Sequence, residues 1–305
     1  MITIFTTPKP FSGQNKINQI NAISSWKALH PDIEVIIFGN GEGVKDIAEN
    51  MGLRHIVDVK NNEYSTPLIS SMFELAEKAG RFDMQMYINC DIILMDDFIP
   101  SVKCITMNPF LMVSQRWDLT LNEAIDFKNP DWQKILRKKV EENGILHLPT
   151  GIDYFLYNKG IWKNIPDMVV GRAGYDNWLI YYCRSRNIPV IDSTGVITAV
   201  HQNHDYKHIK NEKEEAFSGP EASKNIELGG GHKFLFTIAD ADWKIDKSGL
   251  SKIRINRENW YRFFDVFVFI RQSLLLFIIW RCFKFFYNGF IKLKRNFHFN
   301  GFKSK

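Results

Sequence analysis

The stretch "MQMYINCDIILMDDF", residues 84–98, interrupts an apolar run with polar residues. The run stops at Asn89-Cys90-Asp91 and resumes at Ile92. If a β-strand ends near Asn89, the side chains of Asn89 and Asp91 point to one side and Cys90 to the other, because side chains alternate along an extended backbone. In an open α/β sheet, ligands bind beyond the carboxyl ends of the strands. The stretch therefore predicts a strand that delivers a carboxylate to a ligand site.

A divalent cation is one ligand that such a carboxylate can hold. Oxygen ligands suit Mn²⁺ and Mg²⁺, and a cation held by Asp91 can bridge two phosphate groups. An ordinary turn is the alternative, since Asn and Asp after a strand often satisfy nearby backbone groups. The spacing alone leaves both interpretations open.

Strand and helix patterns alternate along the first hundred residues. The strand patterns are "MITIFTT" (1–7), "IEVIIFGNGEG" (33–43), "LRHIVDV" (53–59) and the stretch at 84–98, and the helical ones are "NKINQINAISSWKAL" (15–29), "GVKDIAENMG" (43–52) and "PLISSMFELAEKAG" (67–80). Strands separated by helices indicate βαβ units. The predicted fold class is therefore α/β, with a Rossmann-like, mostly parallel sheet and helices on both faces.

The composition narrows the class of protein further. A content of 45% hydrophobic and 14% aromatic residues in 305 excludes a disordered or fibrous chain. The four cysteines include no Cys-x-x-Cys pair, so neither a zinc ribbon nor a disulfide framework is expected. The N-terminus carries no basic leader, and a reduced, cytoplasmic protein is the expectation.

Six segments, in their order along the chain, resemble the nucleotide-sugar-dependent glycosyltransferases of the GT-A fold. They are "ITIFTTPKPF", "NAISSWKALHPDIEVIIFG", "STPLISSMFELAEKAG", "MYINCDIILMDDF", "PTGIDYFLY" and "GYDNWLIYYCRSRNIPVIDST" with the later "AVHQNHDY". The resemblance spans roughly residues 1–210 and implies a GT-A-like domain over residues 1–245. It implies a bacterial hexosyltransferase-type enzyme of polysaccharide biosynthesis. Such an enzyme moves a sugar from a nucleoside diphosphate sugar to a hydroxyl of a saccharide or lipid-linked glycan.

The resemblance also assigns a role to the motif at the end of strand four. In GT-A enzymes this motif is usually Asp-x-Asp, and its last carboxylate binds Mn²⁺ or Mg²⁺ on the sugar diphosphate. Here it reads Asn89-Cys90-Asp91, an Asn-x-Asp variant. Asp91 is therefore the expected metal ligand and Asn89 a ribose contact or a support for the metal site, and Mn²⁺ or Mg²⁺ is the expected cofactor. The asparagine leaves the strictness of metal dependence open.

The donor nucleotide is expected beside strand one. A GT-A enzyme places its base and ribose at the position of Thr6, Thr7, Pro8 and Lys9, and two hydroxyls and an ammonium there can contact a ribose or a phosphate. Gly39 in "FGNGEG" lets the backbone approach a ligand closely. An ordinary proline-containing turn is the alternative for the first loop. The chain lacks the G-x-G-x-x-G spacing of a dinucleotide site.

Two further residues take chemical roles from the resemblance. Asp176, at the start of a predicted helix, is the candidate base that takes the proton of the acceptor hydroxyl. A helix cap or first-turn acid is its alternative. His201, after a strand-like segment, is a candidate second ligand to the metal or the diphosphate. A surface or satisfied core histidine is its alternative.

Arg116, Trp117 and Asp153 are candidates for contacting the donor sugar or the acceptor. Carbohydrate recognition combines a planar aromatic ring with forked polar groups, and Trp117 with Arg116 and Asp118 in "SQRWDLTL" offers both. Core packing is the alternative for Trp117.

The C-terminal residues 246–305 differ in character from the rest. Residues 262–305 hold nine Lys/Arg and one acid, so this segment is about +8 and residues 1–261 about −3. We expect one amphipathic helix over 260–290 that lies on an anionic membrane surface. The alternatives are a packed helix and a span, for which the uncharged run 272–280 is short. The expected location is cytoplasmic and peripheral on the inner face of the membrane, with no nucleic-acid partner.

Two other functions compete with glycosyl transfer. A sugar-phosphate nucleotidyltransferase shares a related architecture, but the loop after strand one, "TTPKPFSGQNK", has a single glycine. A non-catalytic glycan- or membrane-binding scaffold would keep the fold and lose the carboxylates. The sequence leaves open the sugar, the nucleotide, the acceptor, the stereochemical outcome and the oligomeric state.

Overall fold

The computed structural model describes residues 1–203, 216–256 and 259–285. The chain forms two compact units, Met1–Ile253 and Arg254–Lys305.

The first unit is built on a nine-stranded sheet in the order β13-β12-β10-β6-β9-β4-β1-β2-β3. Its strands are β1 (Ile2–Thr6), β2 (Glu34–Phe38), β3 (Arg54–Ile56), β4 (Met84–Ile88), β6 (Leu111–Val113), β9 (Tyr154–Asn158), β10 (Val190–Asp192), β12 (Trp243–Asp246) and β13 (Gly249–Lys252). Strand β9 runs antiparallel between β4 and β6, β13 is antiparallel at one edge, and the other pairs are parallel. The predicted α/β class with a mostly parallel sheet is confirmed.

A second, four-stranded sheet has the order β5-β11-β7-β8. Its strands are β5 (Ile92–Leu94), β7 (Trp117–Leu119), β8 (Ile145–Leu146) and β11 (Ala199–Gln202). The stretch 84–98, predicted as one strand with a polar break, is therefore two strands in two sheets. The chain leaves the large sheet after Ile88 and enters the small sheet at Ile92, so residues 89–91 form the corner between them.

Helices cover both faces of the large sheet. The α-helices of this unit are α1 (Gly13–Leu29), α2 (Val44–Met51), α3 (Ile69–Ala79), α4 (Phe98–Lys103), α5 (Trp132–Asn143), α6 (Tyr175–Ser185) and α7 (Pro220–Leu228). Of these, α5 packs on the small sheet, against residues of β5, β7 and β11. Consecutive residues of β1 point to opposite faces of the sheet and so contact different helix layers. Ile4 belongs to the cluster that includes residues of α1, α2 and α4. Phe5 instead contacts Phe73 of α3, with ring centroids 5.2 Å apart.

The place of β1 in the strand order determines where a ligand can bind. Strand β1 pairs with β2 on one side and with β4 on the other. The chain thus winds outward through β2 and β3 and then returns across β1 to β4. The connections diverge at the carboxyl ends of β1 and β4, which is where open α/β sheets bind ligands.

The first unit extends beyond the predicted boundary at residue 245. That boundary falls within β12, and β12 pairs with both β10 and β13 of the large sheet. The unit ends at Ile253. Sequence patterning missed this hairpin because its two strands are short and polar.

The second unit contains two helical segments rather than one continuous helix. Helix α8 spans Trp260–Arg271, Gln272 has a left-handed backbone (φ 48°), and helix resumes over residues 274–285. Lys284 lies 3.5 Å from Asp265, so the two segments contact each other. The prediction of a single helix over 260–290 is wrong for the described residues, and its part beyond 285 lies outside them. Within the described part of the chain, no helix is both long and apolar enough to cross a bilayer.

Trp26 of α1 fastens the small sheet to the large one. Its side chain is fully buried, and its indole N–H donates to the carbonyl of Ile92 at 2.8 Å. We expect Trp26→Phe to lower the free energy of unfolding by about 2 kcal/mol, because it leaves a void and a buried carbonyl without its donor. Urea denaturation measures this. Tyr64→Phe, at a side chain 61% exposed, is the control, and equal effects of the two substitutions would contradict the assignment.

Candidate active site

A cavity of about 670 Å³ lies at the carboxyl ends of β1 and β4. Its lining comes from the loop after β1, the start of α1, the corner 89–91, the segment 147–153, the segment 170–173 and the start of α6. The cavity is therefore at the place where the sheet topology predicts a ligand.

Nine of the twelve predicted site residues line this cavity. They are Thr7, Pro8, Lys9, Asn89, Asp91, Arg116, Asp153, Asp176 and His201. Residues from six separate parts of the sequence thus converge on one volume, and their individual roles stay predictions.

Thr6, Gly39 and Trp117 do not line the cavity. Thr6 is fully buried within β1, since alternation along the strand turns its neighbour Thr7 toward the ligand side instead. The carbonyl of Gly39 contacts His55 Nε2 at 2.6 Å, behind the loop that bears Thr7. Trp117 packs against a small hydrophobic cluster under the second sheet, which corresponds to its core-packing alternative.

The amide of Asn89 is used within the protein. Its Oδ1 accepts from the Tyr87 hydroxyl at 2.8 Å, and its Nδ2 donates to Asp153 Oδ1 at 2.6 Å. Burial raises the pKa of Tyr87 far above its usual range, so its hydroxyl stays a donor. An aspartate could accept from Tyr87 and would repel Asp153. Asparagine is therefore the residue that suits both neighbours, which explains the variant motif in physical terms.

Asp153 passes this network on to Arg116. The carboxylate is buried and pairs through Oδ2 with the Arg116 guanidinium, whose Nε reaches Asp118 Oδ1 at 2.9 Å. Burial opposes the charge on Arg116, but the two carboxylates outweigh it and raise its pKa. The guanidinium is thus committed to two carboxylates, so Arg116 supports the cavity wall as well as lining it.

Asp118 is the hub of this network, a role that sequence reasoning did not give it. Besides Arg116, it contacts His147 Nδ1 at 2.7 Å and His201 Nδ1 at 3.2 Å. Burial alone would raise the pKa of this carboxyl. The hydrogen bonds from His201 and His147 and the charge of Arg116 outweigh burial, so the pKa of Asp118 lies well below its usual range. His147 lines the cavity and was also missed. Its only sequence signal is a histidine between apolar residues in "ILHLP".

His201 lies within strand β11 rather than after it, because β11 runs from Ala199 to Gln202. Burial opposes protonation of its imidazole, but the hydrogen bond to Asp118 and the charge of Asp91 outweigh burial and raise its pKa. Its Nε2 is 3.7 Å from Asp91 Oδ2. The site therefore favours positive charge between Asp91 and Asp118.

These residues fit a divalent cation only in part. Among the described residues, no group of three or more His, Cys, Asp or Glu side chains could enclose a metal ion. Asp91 and His201 nevertheless face each other at the cavity, and the carboxylate on His201 Nδ1 orients the ring as second partners of metal-bound histidines do. The pair fits an open site shared with a ligand and does not fit a closed protein cage.

Asp176 stands at the N-terminal turn of α6. Gly174 occupies the cap position and no side chain caps the helix, so Asp176 is not a cap. It is the acidic residue of the first turn, as the other half of its alternative expected. Its Oδ1 is buried and makes no hydrogen bond with any residue in the described part of the chain. Burial, with the charge of Asp153 adding to it, raises the pKa of Asp176 to about 7. Such a carboxyl exchanges its proton near neutral pH.

The cavity rim has a rigid element at Gly151. A Cβ at this position would lie 2.3 Å from His147 Cδ2, so only glycine allows His147 its present place. Across the rim, Arg172 donates through Nε to Glu221 of α7 at 2.8 Å. Two segments distant in sequence are thereby held beside the cavity.

No protein-family model and no curated protein matches the chain. The chain resembles a number of solved structures in part, three of which follow. Glucosyl-3-phosphoglycerate synthase from Mycobacterium tuberculosis is 15% identical over 76% of this chain and 81% of that chain, with a TM-score of 0.46. The same enzyme with Mg²⁺ and uridine diphosphate is 15% identical over 76% and 80%, with 0.44. A structure described as a mycobacterial protein is 13% identical over 84% of each chain, with 0.45. All three TM-scores are below 0.5, so none assigns a function here.

The role of Asn89 can be tested through stability. We expect Asn89→Asp to destabilise the protein by about 2 kcal/mol, because two carboxylates replace an amide-to-carboxylate hydrogen bond. Thermal unfolding of Asn89→Asp measures the loss, and adding Asp153→Asn should restore part of it by returning one amide to the pair. An Asn89→Asp protein as stable as the wild type would show that the amide is not needed there.

The buried Asp176 has a second testable consequence. Its pKa is raised from 3.8 to about 7, so between these values the folded state holds a proton that the unfolded state has lost. Its contribution to stability therefore falls as pH rises through this window. Asp176→Asn should raise the melting temperature relative to the wild type, and we expect this increase to be larger at about pH 8 than at about pH 5. Asp58→Asn, an exposed carboxylate outside the cavity, should show no such pH-dependent difference. An equal gain for Asp176→Asn at both pH values would contradict the raised pKa.

Proposed function

We propose that the protein is a glycosyltransferase. It moves a sugar from a nucleoside diphosphate sugar to a hydroxyl of a saccharide or lipid-linked glycan. The observation that supports the proposal is one cavity, at the switch of the sheet, where Asp91 faces His201 in an arrangement that fits an open cation site and where Asp176 has a pKa of about 7. Glycosyl transfer needs both features, the first for the leaving diphosphate and the second for the acceptor proton.

The donor would lie along the loop after β1 and over the corner 89–91. Thr7 and Lys9 contribute a hydroxyl and an ammonium to this part of the cavity. Asp91 and His201 would hold Mn²⁺ or Mg²⁺, which when bound neutralises the charge that develops on the leaving diphosphate. Asp118 would orient His201, and the hydrogen bond of Asn89 to Asp153 would hold the corner 89–91 in place beside the donor.

The acceptor hydroxyl would approach Asp176. In a direct displacement, the acceptor oxygen forms a bond to the anomeric carbon while the bond from that carbon to the diphosphate oxygen breaks. The diphosphate leaves with the electron pair, and the carboxylate of Asp176 takes the hydroxyl proton. This role belongs to an inverting reaction, because a retaining one needs no enzymic base in that place.

Metal and donor can be tested together. We expect nucleoside diphosphate release from one member of a panel of UDP-, GDP- and dTDP-sugars with Mn²⁺ present, and its loss after EDTA. Asp91→Asn should lower turnover about 100-fold or more, since the leaving group loses its cation. Calorimetry should show weaker binding of the matching nucleotide with Mn²⁺ by this variant. Asp58→Asn is the matched control.

The same panel separates the alternative functions. Release of pyrophosphate from a nucleoside triphosphate and a sugar phosphate would identify a nucleotidyltransferase. Failure to bind or hydrolyse every sugar nucleotide would support a non-catalytic scaffold.

The pH dependence of transfer tests Asp176. The base acts in its ionised form, so kcat/KM should rise with pH up to about 7 and level off above it. Asp176→Asn should lower kcat about 100-fold or more and remove this limb of the profile. An unchanged profile in Asp176→Asn would exclude Asp176 as the base.

A further inference from the structure

The helical residues 274–285, hereafter the distal arm, divide cleanly into two faces. Exposed and half-buried side chains separate when the arm is viewed down its axis at about 100° per residue. The exposed ones are Leu274, Leu275, Ile278, Ile279, Arg281, Cys282 and Phe285, and the half-buried ones are Leu276, Phe277, Trp280, Phe283 and Lys284. The exposed set covers about 160° of the helix and contains a single charge.

The half-buried face of the distal arm packs against α8. Trp280 Nε1 donates to Asp265 Oδ1 at 2.5 Å, and Lys284 lies 3.5 Å from the same carboxylate. Ring contacts add to this, with centroids 5.2 Å apart for Phe269 and Trp280 and 5.5 Å for Phe264 and Phe283. The two helices thus pair through one face of the distal arm, and the aliphatic face points away from the pairing.

This aliphatic face is unusual for the chain. Leu274, Leu275 and Phe285 are 76%, 67% and 76% exposed, and Ile278 and Ile279 are 50% and 47% exposed. Soluble surfaces rarely group large apolar side chains in this way, and such patches mark contact sites. An occupant for the face is therefore required.

Charge identifies the occupant. Residues 254–305 carry eleven Lys/Arg and two Asp/Glu, a net charge of about +9, whereas residues 1–253 are about −4. A polycationic segment with an aliphatic face complements an anionic phospholipid surface, which offers phosphates and an acyl boundary together. Nucleic acid offers no apolar boundary, and the exposed face has one cation for its phosphates.

We propose that the distal arm docks on an anionic phospholipid membrane through this face. The helix lies in the membrane plane, because the uncharged run 272–280 is followed by Arg281 and Lys284, whereas a span needs about 20 consecutive apolar residues. The aliphatic side chains and Phe285 enter the acyl boundary, and Arg281 reaches the phosphates. Since the cytoplasmic leaflet is the anionic one, the protein is peripheral on the inner face of the membrane. This docking does not depend on the proposed enzymatic activity.

Vesicle flotation of the full chain tests the proposal. We expect binding to vesicles of phosphatidylcholine with about 30% phosphatidylglycerol, weaker binding to phosphatidylcholine alone, and weakening by salt. Leu275→Ser with Ile279→Ser should lower the partition coefficient about 100-fold, as each side chain contributes about tenfold. The matched control is Val57→Ser with Ile135→Ser, two exposed aliphatic residues of the other unit, which should bind as the wild type does.

Cys282 allows a second measurement in which no apolar residue of the face is replaced. This thiol is exposed and lies in the middle of the aliphatic face, and Cys104 is the other exposed cysteine in the described residues. In a Cys104→Ser background, an environment-sensitive fluorophore on Cys282 should shift to the blue when the same anionic vesicles are added.

Three results would overturn the proposal. They are absence of wild-type binding to the anionic vesicles, equal binding by the Leu275→Ser, Ile279→Ser variant, and an unshifted Cys282 probe. A wild-type dimer that this variant converts to monomer, with vesicle binding unaffected, would assign the face to a second copy of the chain instead. Binding of the wild type that is lost in this variant and kept in the control supports the membrane.

Discussion

The site depends on the hydrogen bonds that close the corner between the two sheets. The backbone N–H of Asn89 donates to the carbonyl of Asp153 at 2.9 Å, and its side chain donates to the carboxylate of the same residue. A chain that passes from one sheet to another must give up ladder hydrogen bonds at the crossing, and buried polar groups need replacements. Asp153 supplies two of them. The corner that presents Asp91 is therefore held by the same residue that anchors Arg116.

From this corner the polar network extends as a single connected system. Tyr87, Asn89, Asp153, Arg116, Asp118 and the two histidines follow one another by hydrogen bonds or ion pairs. Buried networks of this kind are stable only when each member is satisfied. The carboxylate at Asp176 stands outside it, among residues that raise its pKa. The cavity thus combines a fixed wall with one group that can take up a proton.

Local patterns in the sequence were enough for the first strands and the mostly parallel sheet, whereas the set of nine residues at the cavity came largely from the positions that the GT-A resemblance assigns. Period-two and helical spacing act over short ranges, and the carboxyl ends of parallel strands meet by geometry. The contact of Asp118 with His147 was missed because it depends on the pairing of β7 with β8 across 29 residues, which no local pattern encodes. The break at Gln272 was missed because the apolar spacing continues through it. Asn89 was assigned to the ligand because its motif position was known and its two protein partners were not.

The contact of Gly151 with His147 limits how this site can diversify. Any side chain at 151 must displace the imidazole and so disturb the carboxylate that also orients His201. Substitution there would thus change the cavity wall near His201 as well as the rim. Variation of the cavity rim is then expected along 170–173 instead, because the hydrogen bonds of this segment to Pro67, Ala216 and Asn225 use its backbone groups and do not depend on its side chains. A missing methyl group on one loop thereby limits which part of the rim can change.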